Sequence, residues 1–153
     1  MRFDRNGQRA VPVALLVAVA IAIAVRIAVP EPEYESLVAW VEPTSAQAMA
    51  REQGKPILYD FTADWCPPCR RLERDGWSNE QVAFVVNRDF VAVRVDVSKP
   101  ERELPPDVLA LKREYRVEAL PTLVITDAEG KELRRELGYS SRQALDHFLA
   151  GER

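Results

Sequence analysis

The sequence predicts an α/β domain with a central mixed sheet flanked by helices, preceded by one apolar N-terminal helix. Three observations predict it. Short β-branched runs alternate with helical stretches through residues 37–153. The last two strand runs are joined by a tight turn, Asp127-Ala128-Glu129-Gly130, and so form an antiparallel hairpin. The opening thirty residues differ from everything after them, being basic, then uncharged and apolar.

Residues 1–10 are a short polar leader carrying Arg2, Arg5 and Arg9. From Ala10 to Val25 sixteen residues carry no charge, Arg26 interrupts, and Ile27-Ala28-Val29-Pro30 follows. A spanning helix needs about 20 apolar residues, with a range of about 17–25. Arg26 can reach back to the interface along its long stem, so residues 11–29 suffice for a transmembrane anchor. The competing reading is a cleaved signal peptide, with Ala22-Ile23-Ala24 as the processing site. Both readings send the rest of the chain outward. Basic residues before an apolar run stay in the cytoplasm, and Glu31, Glu33 and Glu35 follow it. The expected location is therefore a bacterial cytoplasmic membrane, crossed once, with the domain in the periplasm or its equivalent. Disulfides persist there.

Residues 30–36, with "PEPEYE", read as a stiff linker, and residues 37–153 as the exported domain. Thr44 or Ser45 caps a helix that runs through Gln53, and Gly54 ends it. Residues 56–61, "PILYDF", form a buried strand. Residues 66–75 form a helix that opens with prolines, which a first turn tolerates. Ser78 caps the next helix, "NEQVAFVVNR". Residues 90–97 alternate as a strand, and residues 105–115 are helical. Strands at 122–126 and 131–137 make the hairpin. Ser140 or Ser141 caps the last helix, "RQALDHFLA", where His147 reads as a surface residue.

The net charge is −3, but four Arg and one Asp lie in residues 1–30, so the exported part is acidic. It offers no basic face for nucleic acid.

The chain has two cysteines, Cys66 and Cys69, separated by Pro67 and Pro68. A structural zinc site uses four Cys or His ligands, and the single His147 lies far away in sequence. Haem attachment needs C-x-x-C-H, and Arg70 follows Cys69. A bridge between residues three apart closes too small a loop to stabilise much. A redox couple fits better, with an inert disulfide and a metal shared between chains as the alternatives. A strand leads to cysteines at the start of a helix, where unpaired N–H groups and partial positive charge stabilise a thiolate on Cys66. The thiolate is the species that attacks a disulfide. Cys69, one turn later, can then displace the bound partner.

"YDFTADWCPPC", "ALPT" at 119–122 and "GY" at 138–139 together resemble the thioredoxin superfamily, over about residues 44–150. The longer runs "GKPILYDFTADWCPPCRRLE", "VRVDVS" and "LALKREYRVEALPTLVITDAEGKE" are similar to the C-terminal periplasmic thioredoxin-like domain of the thiol:disulfide interchange protein DsbD. That family carries the domain after eight membrane spans, whereas this chain has at most one, so an electron relay would need a separate partner. The resemblance implies a thioredoxin fold and a thiol-disulfide oxidoreductase, with Cys66 as nucleophile and Cys69 as resolving thiol. It implies Asp60 as a buried proton acceptor and Glu73 as an acid that tunes the cysteines. It implies Pro121 as a cis-proline, with Leu120 beside it pairing substrate backbone and Trp65 flanking the groove. Trp40 and Trp77 read as packing residues.

The function expected is a membrane-anchored, periplasm-facing oxidoreductase that reduces disulfides of exported proteins. It would use no cofactor beyond the Cys66–Cys69 couple and no metal. A membrane or periplasmic thiol donor would recharge it, and a monomer suffices. A thioredoxin reducing apocytochrome cysteines for cytochrome c maturation is one alternative. A non-redox binding or chaperone module is the other.

Overall fold

The computed structural model describes residues 12–28 and 34–152. Helix α1, Val13–Ala28, belongs to one unit, and the domain from Tyr34 onward to another. The described side chains of α1, among them Val13, Leu15, Leu16 and Ile21, are exposed. Its 16 residues span about 24 Å at about 1.5 Å per residue, short of the roughly 30 Å hydrocarbon core. No helix among the described residues is long and apolar enough to cross a membrane. The expected anchor was longer, residues 11–29, and its two end positions lie outside the described residues, as do the leader 1–10 and residues 30–33 of the linker.

The domain orders its elements as β1 (Trp40–Val41), α2 (Pro43–Gln53), β2 (Ile57–Thr62), α3 (Pro67–Leu72), α4 (Glu80–Asp89), β3 (Val91–Asp96), α5 (Pro106–Glu114), β4 (Thr122–Thr126), β5 (Glu132–Leu137) and α6 (Arg142–Ala150). The sheet runs β1-β3-β2-β4-β5. β3 is parallel to β1 and β2, and β4 is antiparallel to β2 and β5, so the sheet is mixed. The final pair is the expected hairpin, with Gly130 at φ 90° in its turn, a region that favours glycine.

Strand alternation divides the core into two layers. Ile57, Tyr59 and Phe61 of β2 join Val91, Val93 and Val95 of β3 against Ala46 and Ala50 of α2. On the other face Leu58, Ala92 and Leu123 pack on Leu72, Trp77, Val82, Val86 and Leu145. Asp60 and Arg94 fall on this second face, directly opposite each other in the β2–β3 register.

Several boundaries differ from the sequence reading. α2 begins at Pro43, with Glu42 in the cap position. Proline at the first helical position has its φ preset and lacks an N–H that would go unpaired there anyway. Asn79, not Ser78, caps α4, its side chain accepting from the N–H groups of Gln81 and Val82. Ser78 instead closes a π-helical turn, Glu73–Trp77, by donating its backbone N–H to Glu73 O at 2.9 Å. The helix expected to be continuous over 66–75 is therefore α3 followed by this wider turn. Gly76 lets Leu72 and Leu145 pack closely on this turn, since a Cβ there would lie 2.9 Å from Leu145 Cδ2 and 3.0 Å from Leu72 Cδ1. The turn brings Trp77 back into the core, 1 % exposed. Strand β1 and a 3-10 turn at Glu101–Glu103 are additions to the expected elements.

Candidate active site

β2 ends at Thr62, and a short loop delivers Cys66 to the cap position of α3. Cys66 and Cys69 are joined in a disulfide. The Cys69 backbone N–H donates to Cys66 Sγ at 3.3 Å, so the helix start is turned toward the sulfur that attacks first in the expected chemistry. Both cysteines are buried, in a small cluster with Ala63 and the half-buried Leu120. The loop is held from below: Asp64 N–H donates to Ser98 Oγ at 2.9 Å, and the Trp65 indole N–H to Ser98 O at 3.0 Å.

Trp65 remains 61 % exposed despite its size. With Cys66, Pro67, Pro68, Val97, Ala119 and Leu120 it lines a groove of about 880 Å³, whose charged lining residues are Glu101, Lys112, Arg113, Arg116 and Glu118. The Leu120–Pro121 peptide bond is cis. Its loop is fixed on both sides, by Thr122 Oγ1 donating to Ala119 O at 2.7 Å and by Gly138 N–H donating to Pro121 O at 2.7 Å. Trp65, Cys66 and Leu120 thus line one groove. A second depression of about 880 Å³, between β5 and α6, shares no lining residue with it and contains no cysteine.

The Cys69 side is different. Cys69, Thr62, Glu73, Arg94, Asp96 and Ser98 are among the residues that line a smaller pocket of about 230 Å³. Glu73 accepts a charge-assisted bond from Arg94. Asp60 is 1 % exposed, and its Oδ2 accepts the Trp77 indole N–H at 2.8 Å. Burial pushes the Asp60 carboxyl up to about 7, opposed by the Arg94 cation and the Trp77 bond and reinforced by the Glu73 charge. Burial raises Glu73 as well, against the pull of Arg94. Asp60 Oδ1 is buried and has no hydrogen-bond partner among the described residues. A carboxylate with that oxygen free and a titration near neutrality is suited to accept a proton.

Three residues enter this side that the sequence reading left as packing or passed over. Trp77 holds Asp60. Trp40 meets the Trp77 ring edge-on at 5.5 Å and carries the Arg94 guanidinium 4.5 Å above its own ring. Arg94 donates to Glu73 and lies opposite Asp60 in the β2–β3 register. The available signal was one polar residue in each of two apolar strands, Asp60 in "ILYDF" and Arg94 in "VAVRV", both at positions that face the same layer. His147 sits on the surface of α6, within 3.9 Å of Glu152, as expected.

The thioredoxin-like domain family matches residues 43–151. Among curated relatives, the thiol:disulfide interchange protein DsbD of Klebsiella pneumoniae is 35% identical over 105 residues, 67% of this chain and 17% of that protein. DsbD of Vibrio cholerae is 36% identical over 110 residues, 70% of this chain and 18% of that protein. The chain therefore spans less than a fifth of the length of these relatives. Among solved structures, a DsbH oxidoreductase superposes with a TM-score of 0.63 at 23% identity, covering 85% of this chain and 99% of that one. The oxidised C-terminal domain of Neisseria meningitidis DsbD gives 0.59 at 22% identity, covering 72% and 91%. These two likenesses bear on the fold alone. The family match runs from α2 through α6 and includes the Cys66-x-x-Cys69 pair, and the chain belongs to the thioredoxin-like domain family.

Proposed function

We propose that this protein is a membrane-tethered reductase of disulfides in exported proteins, working outside the cytoplasm through Cys66 and Cys69. The observation that carries the reading is the asymmetry of the disulfide, with an open groove at Cys66 and a buried acid network at the Cys69 pocket. In the dithiol form, the Cys66 thiolate attacks a substrate disulfide bound in the groove. One substrate sulfur leaves as a thiolate and the other stays bonded to Cys66. Cys69 then loses its proton toward Asp60 and attacks Cys66 Sγ. The Cys66–substrate bond breaks, the second substrate sulfur departs reduced, and the Cys66–Cys69 disulfide forms. Two electrons have passed from the dithiol to the substrate.

Assistance in deprotonating Cys69 speeds release of the reduced product and equally its reverse, so the reduction potential of the couple sets the working direction. The extended groove beside a cis-proline loop suits an extended peptide, with Leu120 offering backbone bonds and Trp65 a flank. Glu73 tunes the pair from the Cys69 side. A membrane or periplasmic thiol donor restores the dithiol, and no dissociable cofactor takes part. Tethering is supported by the uncharged run 10–25, by the exposed apolar side chains of α1 and by the arginines that precede it.

The direct test uses the full chain carrying Cys69→Ser, incubated with a disulfide-containing exported protein. Covalent complexes through Cys66, cleared by dithiothreitol, are expected. A variant that never captures substrate would sink the reading. The mass of the mature chain distinguishes a retained tether from a cleaved leader.

A further inference from the structure

The residues that line the groove beside Cys66 divide by origin. Trp65, Pro67 and Pro68, from the loop and the start of α3, carry no charge, whereas the end of α5 and the residue after its cap bring Lys112, Arg113 and Arg116. Two acids, Glu101 and Glu118, line the groove as well. Lys112 is paired with Glu101 at 2.6 Å, which leaves Arg113 and Arg116 against Glu118. All three are exposed. Neither arginine makes a side-chain hydrogen bond or ion pair among the described residues. The acids near enough to feel their charge, Glu101 and Glu132, are already held at 2.6 Å by Lys112 and Arg135. The groove is thus positive in a domain whose overall balance is acidic.

Cations at a helix end are ordinary, because the exposed carbonyls there favour them. That accounts for Lys112 and Arg113 but not for Arg116. Val117 N–H donates to Lys112 O at 3.0 Å and Arg116 N–H to Arg113 O at 3.1 Å, the paired bonds that close a helix through one left-handed residue. Arg116 is that residue, at φ 48°, and is the one non-glycine with positive φ among the described residues. At the ends of α2 and α6 the left-handed position is held by Gly54 and Gly151, at φ 64° and 77°. Glycine adopts this conformation freely, whereas a side chain there is strained. The chain keeps a long cation where the backbone favours none, and that cation lines the groove.

We propose that the groove selects acidic peptides: Arg113 and Arg116 take carboxylates of substrate residues that flank the cysteine joined to Cys66. The inference rests on the reading that substrate lies in this groove. A peptide paired with Leu120 has its cysteine beside Cys66. Arg116 is at most roughly 14 Å of extended chain from Leu120, so the carboxylate falls within about four residues of that cysteine. The contacts are exposed and screened by salt, and they act mainly on the rate of capture and the choice of partner. Glu118 opposes them in part.

The test uses the full chain carrying Cys69→Ser and three short peptides, each a symmetric disulfide dimer whose one cysteine is flanked by Glu, Gln or Lys. The Cys66 thiolate attacks either peptide sulfur, forms one Cys66–peptide bond and releases the other peptide as a thiolate. Capture rates are divided by the rate of each dimer with dithiothreitol, which removes differences in intrinsic reactivity. The Glu dimer should be captured about tenfold faster than the Lys dimer at low salt, with Gln between them, and the ratio should shrink in high salt. Arg113→Gln combined with Arg116→Gly should bring the ratio close to one. Arg116→Gly alone should lower the ratio while leaving the urea midpoint unchanged or raised, because glycine suits the backbone there. Equal capture of the Glu and Lys dimers would overturn the proposal, as would a ratio that survives the double substitution. A chain that captures no dimer contradicts the functional reading instead. Binding of the same peptides with serine in place of cysteine, followed by the amide resonances of Arg116 and Leu120, then decides. Tighter binding of the Glu peptide sustains the proposal, and equal binding overturns it.

Discussion

On the Cys66 side of the disulfide, Trp65, Pro67, Val97 and Leu120 line an open groove of about 880 Å³. On the Cys69 side, Glu73 and Arg94 line a pocket of about 230 Å³, and Asp60, opposite Arg94 in the β2–β3 register, is fully buried. One region presents Trp65 and apolar neighbours among charged residues, and the other keeps a carboxyl, Asp60, out of solvent. Each arrangement is unfavourable by itself. Exposed apolar groups gain nothing until something covers them. A buried carboxyl pays a desolvation penalty that raises its pKa. The pairing makes sense for a disulfide that must meet a large partner at one sulfur and handle a proton near the other.

Substitutions should separate the two sides. The largest effect belongs to the sulfurs themselves. Cys66→Ser should abolish disulfide reduction, whereas Cys69→Ser should keep the first attack and accumulate mixed disulfide, seen on non-reducing gels. Next comes Asp60→Asn. General-base assistance is worth about 10²–10⁴-fold, so release from the mixed disulfide should slow by about a hundredfold while capture is preserved.

The same variant changes stability with a definite sign. The Asp60 carboxyl titrates near 7 in the folded chain against an ordinary 3.8. Between those values the folded state keeps a proton that the unfolded state has lost. Stability therefore falls as pH rises through that window and levels off above it. At about 1.36 kcal/mol per pH unit, the loss is on the order of 4 kcal/mol. Asp60→Asn should flatten this decline and be more stable than wild type at pH 8, as read from urea midpoints.

A smaller effect is expected from Trp77→Phe, which keeps most of the packing but removes the N–H from Asp60. The Asp60 titration should move further up. Stability should drop by about 1–2 kcal/mol from the lost buried bond. The smallest effect lies on the open side. Trp65→Ala should raise KM for a peptide disulfide several-fold and leave the pH profile of release unmoved. A shift in that profile would show that the two sides are not separable.

Much of this was legible in the sequence. Short apolar and β-branched runs gave β2, β3 and β4, the Asp127–Gly130 turn gave the hairpin, and "WCPPC" with "ALPT" identified the cysteines and the cis-proline loop. The acid network was half legible. Asp60 and Glu73 followed from resemblance, but their partner Arg94 comes from another strand, and only the register of β2 on β3 sets it opposite Asp60. Trp77 was hidden for a local reason. An unbroken α-helix from Pro67 would aim residue 77 differently, and the π-helical turn was not foreseen. Trp40 was hidden because β1 is two residues long and held by pairing to β3 rather than by its own pattern. Cap assignments failed where two good caps adjoin, as at Ser78 and Asn79.

The reduction potential of the Cys66–Cys69 couple tests the central claim most directly. It can be read from the full chain equilibrated in dithiothreitol and glutathione buffers and quenched by alkylation. Related couples run from about −270 mV for thioredoxin to about −120 mV for strong oxidants. A reductase predicts free exchange and a value toward the lower end. A value near the upper end would reverse the direction of electron flow, and a disulfide that never exchanges would contradict the account.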